Sequence, residues 1–402
     1  MPRSSNKTTK AKGAAGLGNI RKKTVTRNGQ SYEYWEARYT SPDTGKQHSL
    51  TAKTQKEVAQ KLKEKLGEIA SGSFVEPNKI TVAQWTDTWQ TEYLGANVKP
   101  STITSYEAAI RNHIVPILGK IKLHQLAPLD VQKFINSLQN PTESRPALSS
   151  KTIKNVYGLL HHILAQAVLC KLIIANPADA CVLPKVRKKK IKPMNEYQIA
   201  EFVKAIQGHK YENMMLLALF TGMRIAEVCG LCHSCISYEN STILVDKQLQ
   251  ALRGKVRGDQ EKYALLPTKN GKERTITAPA FIMEMLWKTK QAQDANRKLL
   301  GDVYIDSDLI FTDNIGNRIT PQALYRAFKL MMVELNMEEV RFHDLRHSYA
   351  VIALKSGDDV KTVQENLGHA TASFTLDTYG HVTKKMKKDS ADRMEAFIQS
   401  VR

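Results

Sequence analysis

The sequence predicts a multidomain protein that is mainly α-helical and contains small β-sheets. It has 402 residues, of which 42% are hydrophobic and 24% charged, and this length and composition support two or three globular domains. Most apolar residues recur at helical spacing, whereas the alternation typical of strands is confined to short segments near residues 32–52 and 241–279. The composition excludes a wholly disordered or collagen-like chain.

The charge balance is strongly basic. The chain has 59 Lys and Arg against 39 Asp and Glu, a formal net charge of +20, which favours a polyanionic partner such as nucleic acid. No apolar run approaches the roughly 20 residues that a membrane-spanning helix needs, and a secretory signal is missing, so we expect a cytoplasmic protein without membrane contact. Five cysteines are too few for a disulfide framework in a chain of this size.

Residues 1–77 are predicted to form a basic tail followed by a small sheet with one helix. The first 27 residues contain eight Lys or Arg and no acid, which is typical of a flexible arm that binds phosphates. Alternation in YEYWEARYT and HSLTA, separated by the turn segment SPDTGKQ, predicts a β-hairpin. After Thr54, apolar residues on one helical face predict a helix over QKEVAQKLKEKLGEIA.

Residues 78–184 are predicted to form a helical bundle. Aromatic residues recur at every fourth position of WTDTWQTEY, and a helix opened by Ser149 or Ser150 carries a wide apolar stripe. Ser101 is predicted to cap another helix. The segment 185–193, which is bounded by prolines and rich in Lys and Arg, is predicted to be a basic linker.

Residues 194–402 are predicted to form a mixed α/β domain in which helices dominate. Asn195 is expected to cap its first helix, with Gln198 in the position of a capping box. Strands are predicted over STILVDKQL, YALLP and ERTITAP, and the Asn-Gly pair at 270–271, between the last two, is a strong signal for a hairpin turn.

Four local patterns in this last domain could carry chemistry. Arg224 and Glu227 are three positions apart on an otherwise apolar helix, so the carboxylate can hold the guanidinium in place; a half-buried structural salt bridge explains the same spacing. Lys269 directly precedes the Asn-Gly turn, and its ammonium is expected to project from a hairpin tip, where it could reach a bound phosphate. Exposed hairpin lysines without a function are also common.

The other two patterns lie nearer the C-terminus. His343 and Arg346 share one helical face, and such a basic pair suits an anionic substrate better than a core, while His347 is the better candidate for a structural histidine. His369 follows a helix-ending glycine. Tyr379, ten residues further on, is a candidate nucleophile, although most tyrosines only pack.

Together these residues form a set of cations with a single hydroxyl, which matches phosphoryl transfer. Fixed guanidinium groups can neutralise the nonbridging oxygens of a pentacoordinate phosphorane, while lysine and histidine handle the leaving and attacking protons. Carboxylates with metal-site character do not accompany them in the sequence, so the cations would take the place of Mg²⁺. We therefore expect no metal and no other cofactor.

The order and local contexts of these residues (TGMRIAE, FHDLRH, LGHA and TYGH) resemble the catalytic signature of the tyrosine recombinases. The resemblance extends along most of the chain, because residues 20–75 are similar to the arm-binding domain, and residues 80–184 to the helical, SAM-like core-binding domain, of phage-type and conjugative-transposon integrases. It implies a site-specific recombinase that integrates and excises a mobile element through a 3′-phosphotyrosyl intermediate, without ATP.

The resemblance also implies a role for each matching residue. The expected active-site residues are Arg224, Lys269, His343, Arg346, His369 and Tyr379, with Glu227 in structural support. The tyrosine would attack a DNA phosphodiester, the two arginines would clamp the nonbridging oxygens, and the lysine would protonate the leaving 5′-oxygen. The first histidine would assist proton transfer to and from the tyrosine, and the second would hydrogen-bond the phosphate.

The implied partners are double-stranded DNA at core and arm sites, a homotetramer on DNA that works through a Holliday junction, and a small basic excision factor. A set of basic and hydroxyl side chains in the first two domains and the linker is expected to contact DNA. These residues are Arg21, Lys22, Lys23, Arg38, Lys99, Ser101, Thr102, Lys151, Lys154, Lys188, Lys189 and Lys190.

One departure from the family pattern is the CxxCxxC spacing of Cys229, Cys232 and Cys235, with His233 inside it. Such ligands could hold zinc or an iron–sulfur cluster, but a separate fourth thiolate is missing, so buried thiols are favoured. Two other functions stay open. A DNA-binding regulator that has lost the reaction is disfavoured by the occupied catalytic positions, and a type IB topoisomerase is disfavoured because it has no need of an arm-like domain.

Overall fold

The computed structural model describes most of the chain, which divides into two compact units at residues 1–187 and 188–402. The boundary falls inside the basic segment 185–193. Within the described part, every helix is too short or too polar to cross a membrane. The described residues are 20–27, 30–42, 44–72, 74, 79–95, 98–141, 146–186, 192–252, 262–268, 271–368 and 383–401.

The first unit begins with a three-stranded antiparallel sheet that packs on one helix. Its elements are β1 (Ile20–Arg27), β2 (Gln30–Thr40), β3 (Gln47–Ala52) and α1 (Gln55–Ala70). Thr54 caps α1, because its hydroxyl accepts a hydrogen bond from the Glu57 backbone N–H at 3.3 Å. Alternate residues of β2, such as Ala37 and Tyr39, are buried in one cluster with Val58 of the helix. The prediction of a small sheet with one helix is confirmed.

Residues 20–27 form a strand, so the prediction of a flexible arm followed by a two-stranded hairpin is wrong for this segment. β1 pairs with β2 along its whole length, with Ile20 opposite Ala37. Carboxylates of β2 form ion pairs with the cations of β1. These pairs offset the repulsion among the cations, which is why a segment with the charge pattern of a tail can form a strand. The rest of the predicted tail, residues 1–19, lies outside the described residues.

A helical bundle follows, as predicted. Its helices are α2 (Val82–Glu92), α3 (Pro100–Ala109), α4 (Val115–Leu118), α5 (Pro128–Leu138) and α6 (Ser150–Leu169), with a π-helical turn at Ile110–Ile114. The core is rich in large apolar side chains, among them Trp89 and Phe134. Trp85 also lies in this core and donates its indole N–H to the backbone carbonyl of Ile163 at 2.9 Å, which satisfies the one polar group that it buries.

The helix starts of this bundle test two of the predicted caps. Ser149 caps α6, because its hydroxyl accepts a hydrogen bond from the Thr152 backbone N–H at 3.1 Å. The predicted cap at Ser101 is wrong. α3 begins one residue earlier, at Pro100, with Lys99 in the capping position, because proline is pre-organised for the first helical position and lacks the N–H that a cap would satisfy.

Among the residues that the structure describes, the second unit combines eight α-helices, the last of them near the C-terminus, with short strands. The helices are α7 (Glu196–Ala205), α8 (Glu212–Thr221), α9 (Ile225–Cys229), α10 (Ala280–Leu300), α11 (Pro321–Glu334), α12 (Phe342–Lys355), α13 (Val360–Leu367) and Thr383–Val401. The strands are β4 (Ile236–Ser237), β5 (Thr242–Val245), β6 (Lys247–Ala251), β7 (Tyr263–Pro267) and β8 (Arg274–Thr277).

Asn195 and Gln198 form the predicted capping box at the start of α7. Almost every side chain of α8 is buried, so this helix lies at the centre of the core.

The predicted Asn-Gly hairpin is wrong. β8 pairs with β5, and β7 pairs with β6, so the two strands on either side of the Asn-Gly turn do not pair with each other. The strand predicted over 241–249 breaks at Asp246, whose carbonyl accepts a hydrogen bond from the Thr268 backbone N–H at 3.2 Å. Gly271 has a left-handed φ of +67° and donates its N–H to the Thr268 carbonyl at 2.9 Å. The turn is therefore local, and the long-range pairing overrides its hairpin signal.

Candidate active site

The chain reverses sharply at Gly222, between α8 and α9. Gly222 has a φ of +66°, and a Cβ atom there would lie 2.7 Å from atoms of both Tyr349 and Leu367. Arg224 then takes the N-cap position of α9. The prediction that Arg224 and Glu227 lie within one continuous apolar helix is therefore wrong, since the helix is broken between them and α8.

Glu227 is the buried centre of the site. Its side chain is 0% exposed, and it accepts hydrogen bonds from the Arg224 backbone N–H at 2.9 Å and from Arg224 Nη1 at 2.6 Å. It also accepts from Nη1 and Nη2 of Arg274, at 3.2 and 2.7 Å. Burial alone raises the pKa of this carboxyl, but Arg274 and then Arg224 lower it to about 2. The carboxylate is therefore ionised at any physiological pH and binds two guanidinium groups.

Arg274 is the residue that the sequence analysis missed. It opens β8, its side chain is only 8% exposed, and its Nε donates to the Asn366 backbone carbonyl at 2.7 Å. One signal could have found it, because alternation along β8 places Arg274 on the same face as the buried Ile276. An arginine on the buried face of a strand requires a carboxylate or carbonyl partner.

Arg346 lies beneath the surface, at 2% exposure. It is on α12 and donates from Nη1 to the Gly222 carbonyl at 2.7 Å and from Nη2 to the Leu367 carbonyl. Arg274 and Arg346 thus hold the consecutive carbonyls of Asn366 and Leu367 at the C-terminal end of α13. Cations are favoured at this end of a helix, where the unsatisfied carbonyls carry partial negative charge.

Two histidines share the first turns of α12. The His343 and His347 rings lie 4.9 Å apart in an edge-to-face arrangement. Partial burial, and then the charges of Arg346 and Arg224, lower the pKa of His343. Its imidazole is therefore neutral at pH 7, lies among the arginines, and is exposed at the surface. His347 is buried, and burial followed by the charge of His343 lowers its pKa to about 4, which agrees with a structural role.

Three expected active-site residues, Lys269, His369 and Tyr379, lie outside the described residues. The segments next to two of them lead to the site. β8 begins shortly after position 269, and its first residue, Arg274, binds Glu227. Gly368 directly precedes position 369, and a Cβ atom on this glycine would lie 3.1 Å from Cδ of Arg274.

The three clustered thiols, Cys229, Cys232 and Cys235, are buried in the apolar core of this unit. Burial raises the pKa of each of them, that of Cys232 to about 11. The Cys235 thiol lies 3.4 Å from a carboxylate oxygen of Asp246, to which it donates. Within the described ranges, His, Cys, Asp and Glu side chains do not gather in groups of three or more that could hold a metal ion. This arrangement is that of thiols that pack in a core.

Three of the cations expected to bind DNA lie together on one face of the N-terminal sheet. Arg21 and Lys23 of β1 bind the two carboxylate oxygens of Glu36, at 2.6 and 3.0 Å, and Arg38 Nε lies 3.5 Å from the same carboxylate. Alternation along β1 places Lys22 on the opposite face. There it pairs with Glu33 at 2.7 Å.

The remaining expected DNA contacts lie on the helical bundle or outside the described residues. Lys99 is exposed at the start of α3, and Thr102 lies in the first turn of that helix. Lys151 and Lys154 are both exposed, three positions apart on α6. The backbone of Ser101 is helical, but its side chain lies outside the described part, as do Lys188, Lys189 and Lys190.

Sequence comparisons match the chain to integrases. Residues 187–386 match the Phage integrase family, and residues 81–139 match the phage integrase N-terminal SAM-like domain. The chain is 27% identical over 394 residues to a protein named "Tyrosine recombinase XerC-like" from Caldanaerobacter subterraneus subsp. tengcongensis, with 94% of this chain and 100% of that protein covered. It is 24% identical to the ICEBs1 integrase of Bacillus subtilis, with 75% and 79% covered.

Solved structures show the same fold. The Tn1549 transposon integrase in complex with transposon right end DNA has a TM-score of 0.65 at 22% identity, covering 79% of this chain and 100% of that one. A lambda integrase tetramer bound to a Holliday junction has a TM-score of 0.54 at 18% identity, covering 87% and 96%. The chain therefore belongs to the phage integrase family and is a site-specific tyrosine recombinase of the integrase type.

Proposed function

We propose that this recombinase integrates and excises a mobile element by cutting and rejoining double-stranded DNA through a covalent link to Tyr379. The observation that carries the proposal is the cluster of Arg224, Arg346 and His343, in which the charges of both arginines help to lower the pKa of the histidine and the guanidinium groups are held by fixed partners. A preorganised positive cluster of this kind stabilises the charge that develops on a phosphate in the transition state.

Each expected active-site residue has one role in strand cleavage. The Tyr379 oxygen forms a bond to phosphorus as the bond to the 5′-oxygen breaks, and Lys269 gives that oxygen its proton. His343, neutral at pH 7, accepts the tyrosine proton. Arg224, whose side chain is 24% exposed, is the more accessible guanidinium for the nonbridging oxygens, and Arg346 adds its charge from below the surface. His369, which completes the expected set, hydrogen-bonds the phosphate.

The domain assignment follows the predicted boundaries. Residues 1–77 form the arm-type DNA-binding domain, 78–184 the core-binding domain, 185–193 the basic linker and 194–402 the catalytic domain. The match of residues 81–139 to the SAM-like domain supports the second of these. A homotetramer on a Holliday junction is the assembly of the lambda integrase, and its similar fold supports the same assembly here, with a small basic excision factor setting direction.

The nucleophile is tested with a nicked core-site DNA from which the cleaved strand diffuses away, so that the covalent complex accumulates. Wild-type protein is expected to form this complex and Tyr379→Phe to form none, while both bind the DNA equally. Tyr325→Phe, at an exposed tyrosine of α11, is the matched control and should behave as wild type. A covalent adduct with Tyr379→Phe, or none with the wild type, would overturn the proposal.

The same substrate tests whether a metal is required. Cleavage is expected to persist in EDTA, because the arginine and lysine cations supply the positive charge that a two-metal nuclease takes from Mg²⁺. Loss of cleavage in EDTA that Mg²⁺ restores would contradict this mechanism.

The arm assignment is tested by deleting residues 1–77. The shortened protein is expected to bind and cleave a short core site but to lose integration into targets that need arm sites. Loss of core binding would show that the domain boundary is wrong.

A further inference from the structure

Arg274 connects three segments of the catalytic unit. Its own strand, β8, begins at Arg274 itself, a short distance in sequence after position 269. Its Nη atoms bind both carboxylate oxygens of Glu227, and its Nε binds the carbonyl of Asn366, three residues before His369. We propose that Arg274 is a positioning residue for strand cleavage, which holds the strand after Lys269 and the helix end before His369 against Glu227. The inference rests on the roles proposed above for Lys269 and His369.

The contacts require a guanidinium. Three nitrogen atoms of Arg274 donate hydrogen bonds in two directions. Nη1 and Nη2 donate to the Glu227 carboxylate, and Nε donates to the Asn366 main-chain carbonyl. The planar group presents its donors in a fixed fork, whereas a lysine ammonium is a single point charge on a flexible stem. A lysine at position 274 would keep a charge near Glu227 but lose both the fork that holds β8 on the two carboxylate oxygens and the simultaneous bond to Asn366.

Arg274 also leaves Arg224 available to DNA. Glu227 is fully buried, and a buried carboxylate without a cation is costly. Because Arg274 is only 8% exposed and binds both carboxylate oxygens, Glu227 keeps a full charge partner when the more exposed Arg224 turns towards a phosphate. The donors of Arg274 are taken up by Glu227 and Asn366, so its role is exerted through these neighbours.

The expected defect is therefore in cleavage and not in DNA binding. Displacement of catalytic groups by about 1 Å can lower a rate by about 100-fold. We expect Arg274→Lys to cleave the nicked core site about 10- to 100-fold more slowly than wild type in single turnover, with unchanged DNA affinity and unchanged thermal unfolding. Arg318→Lys is the matched control, because Arg318 is also a partly buried arginine of this unit and donates to a strand carbonyl, that of Tyr263, at 2.9 Å.

A sulfur substitution separates positioning from a general structural loss. When the 5′-bridging oxygen at the cleavage site is replaced by sulfur, the leaving thiolate needs no proton, so the step assigned to Lys269 is bypassed. On this substrate Arg274→Lys is expected to recover the part of its loss that arises at Lys269 and to keep only the part that arises at His369. A wild-type rate on the ordinary substrate, or a defect of the same size on both substrates, would overturn the role of Arg274.

Lys269→Ala, assayed on the same two substrates, tests the underlying assignment separately. Failure of sulfur to rescue Lys269→Ala would overturn the role proposed for Lys269, and with it the route from Arg274 through that residue. Rescue of Lys269→Ala without rescue of Arg274→Lys would overturn the role of Arg274 alone.

Discussion

Two glutamates in different regions of this protein each gather several cations, and these cations differ in exposure. Both carboxylates are buried, but Arg224 and Arg274 around Glu227 are 24% and 8% exposed, whereas Arg21, Lys23 and Arg38 around Glu36 are 34–44% exposed. In both cases the neighbouring cations outweigh burial and lower the pKa of the carboxyl. The difference lies in what the solvent can reach.

The exposure of the cations decides what each cluster can do. Water and salt screen the pairs around Glu36, so the cations there can exchange their carboxylate for a phosphate at little cost. The pairs around Glu227 are shielded, and loss of one partner leaves a buried charge. Glu227 therefore fixes geometry, whereas Glu36 adjusts the net charge of a sheet face whose cations are open to solvent.

The largest expected effect comes from Glu227→Gln. Removal of this charge leaves Arg274 buried without a counter-ion, so we expect the free energy of unfolding of the catalytic unit to fall by about 3–5 kcal/mol. Denaturant unfolding of the full chain measures it. Glu284→Gln, which removes the exposed partner of Lys288 on α10, is the control and should leave the value close to that of the wild type, because water screens this pair. A similarly small loss with Glu227→Gln would erase the distinction between the two clusters.

The pH dependence of stability sharpens the same contrast. His347 titrates near its usual pKa of 6.5 when unfolded but only near 4 when folded, so between these values the unfolded chain binds more protons. The free energy of unfolding should therefore rise from pH 4 to 6.5 and level off above, by about 3 kcal/mol at most from this residue. The lowered pKa of Glu227 changes the free energy of unfolding only below pH 4.5 or so, the pKa of this carboxyl in the unfolded chain.

The measurement is a series of denaturation curves between pH 4.5 and 7.5. His347→Gln is expected to flatten the dependence in this window. A slope that is the same in the variant and the wild type would assign the titration to other groups.

The smallest effect on stability is expected for Glu36→Gln, about 1 kcal/mol or less, because its partners are exposed. The change should appear in DNA binding instead. Removal of one negative charge from a face with three cations should strengthen non-specific binding and steepen the slope of log affinity against log salt by up to about one unit. Fluorescence anisotropy over a salt series measures this slope.

The control for this experiment is Glu33→Gln, on the opposite face of the same sheet, where the glutamate pairs with Lys22. If both variants change the slope equally, the effect is one of overall net charge and not of the face that carries Glu36.

Sequence reasoning succeeded where the interaction is local. Arg224 and Glu227 are three positions apart, and the ion pair that this spacing predicts is present. Arg274 could not be found in the same way, because it lies 47 residues from Glu227 and reaches it only through the strand pairing. The strand at residues 20–27 was missed because its run of cations resembles a tail until the glutamates of the next strand lie opposite.

The packing at Gly222 has a genetic consequence. A side chain at this position would require a left-handed backbone and would collide with Tyr349 and Leu367, which costs a non-glycine residue at least about 1 kcal/mol before any clash is relieved. The carbonyl of the same residue holds Arg346. A selection for inactive variants should therefore recover substitutions at residue 222 together with those of the reactive side chains, although a glycine has no functional group to lose.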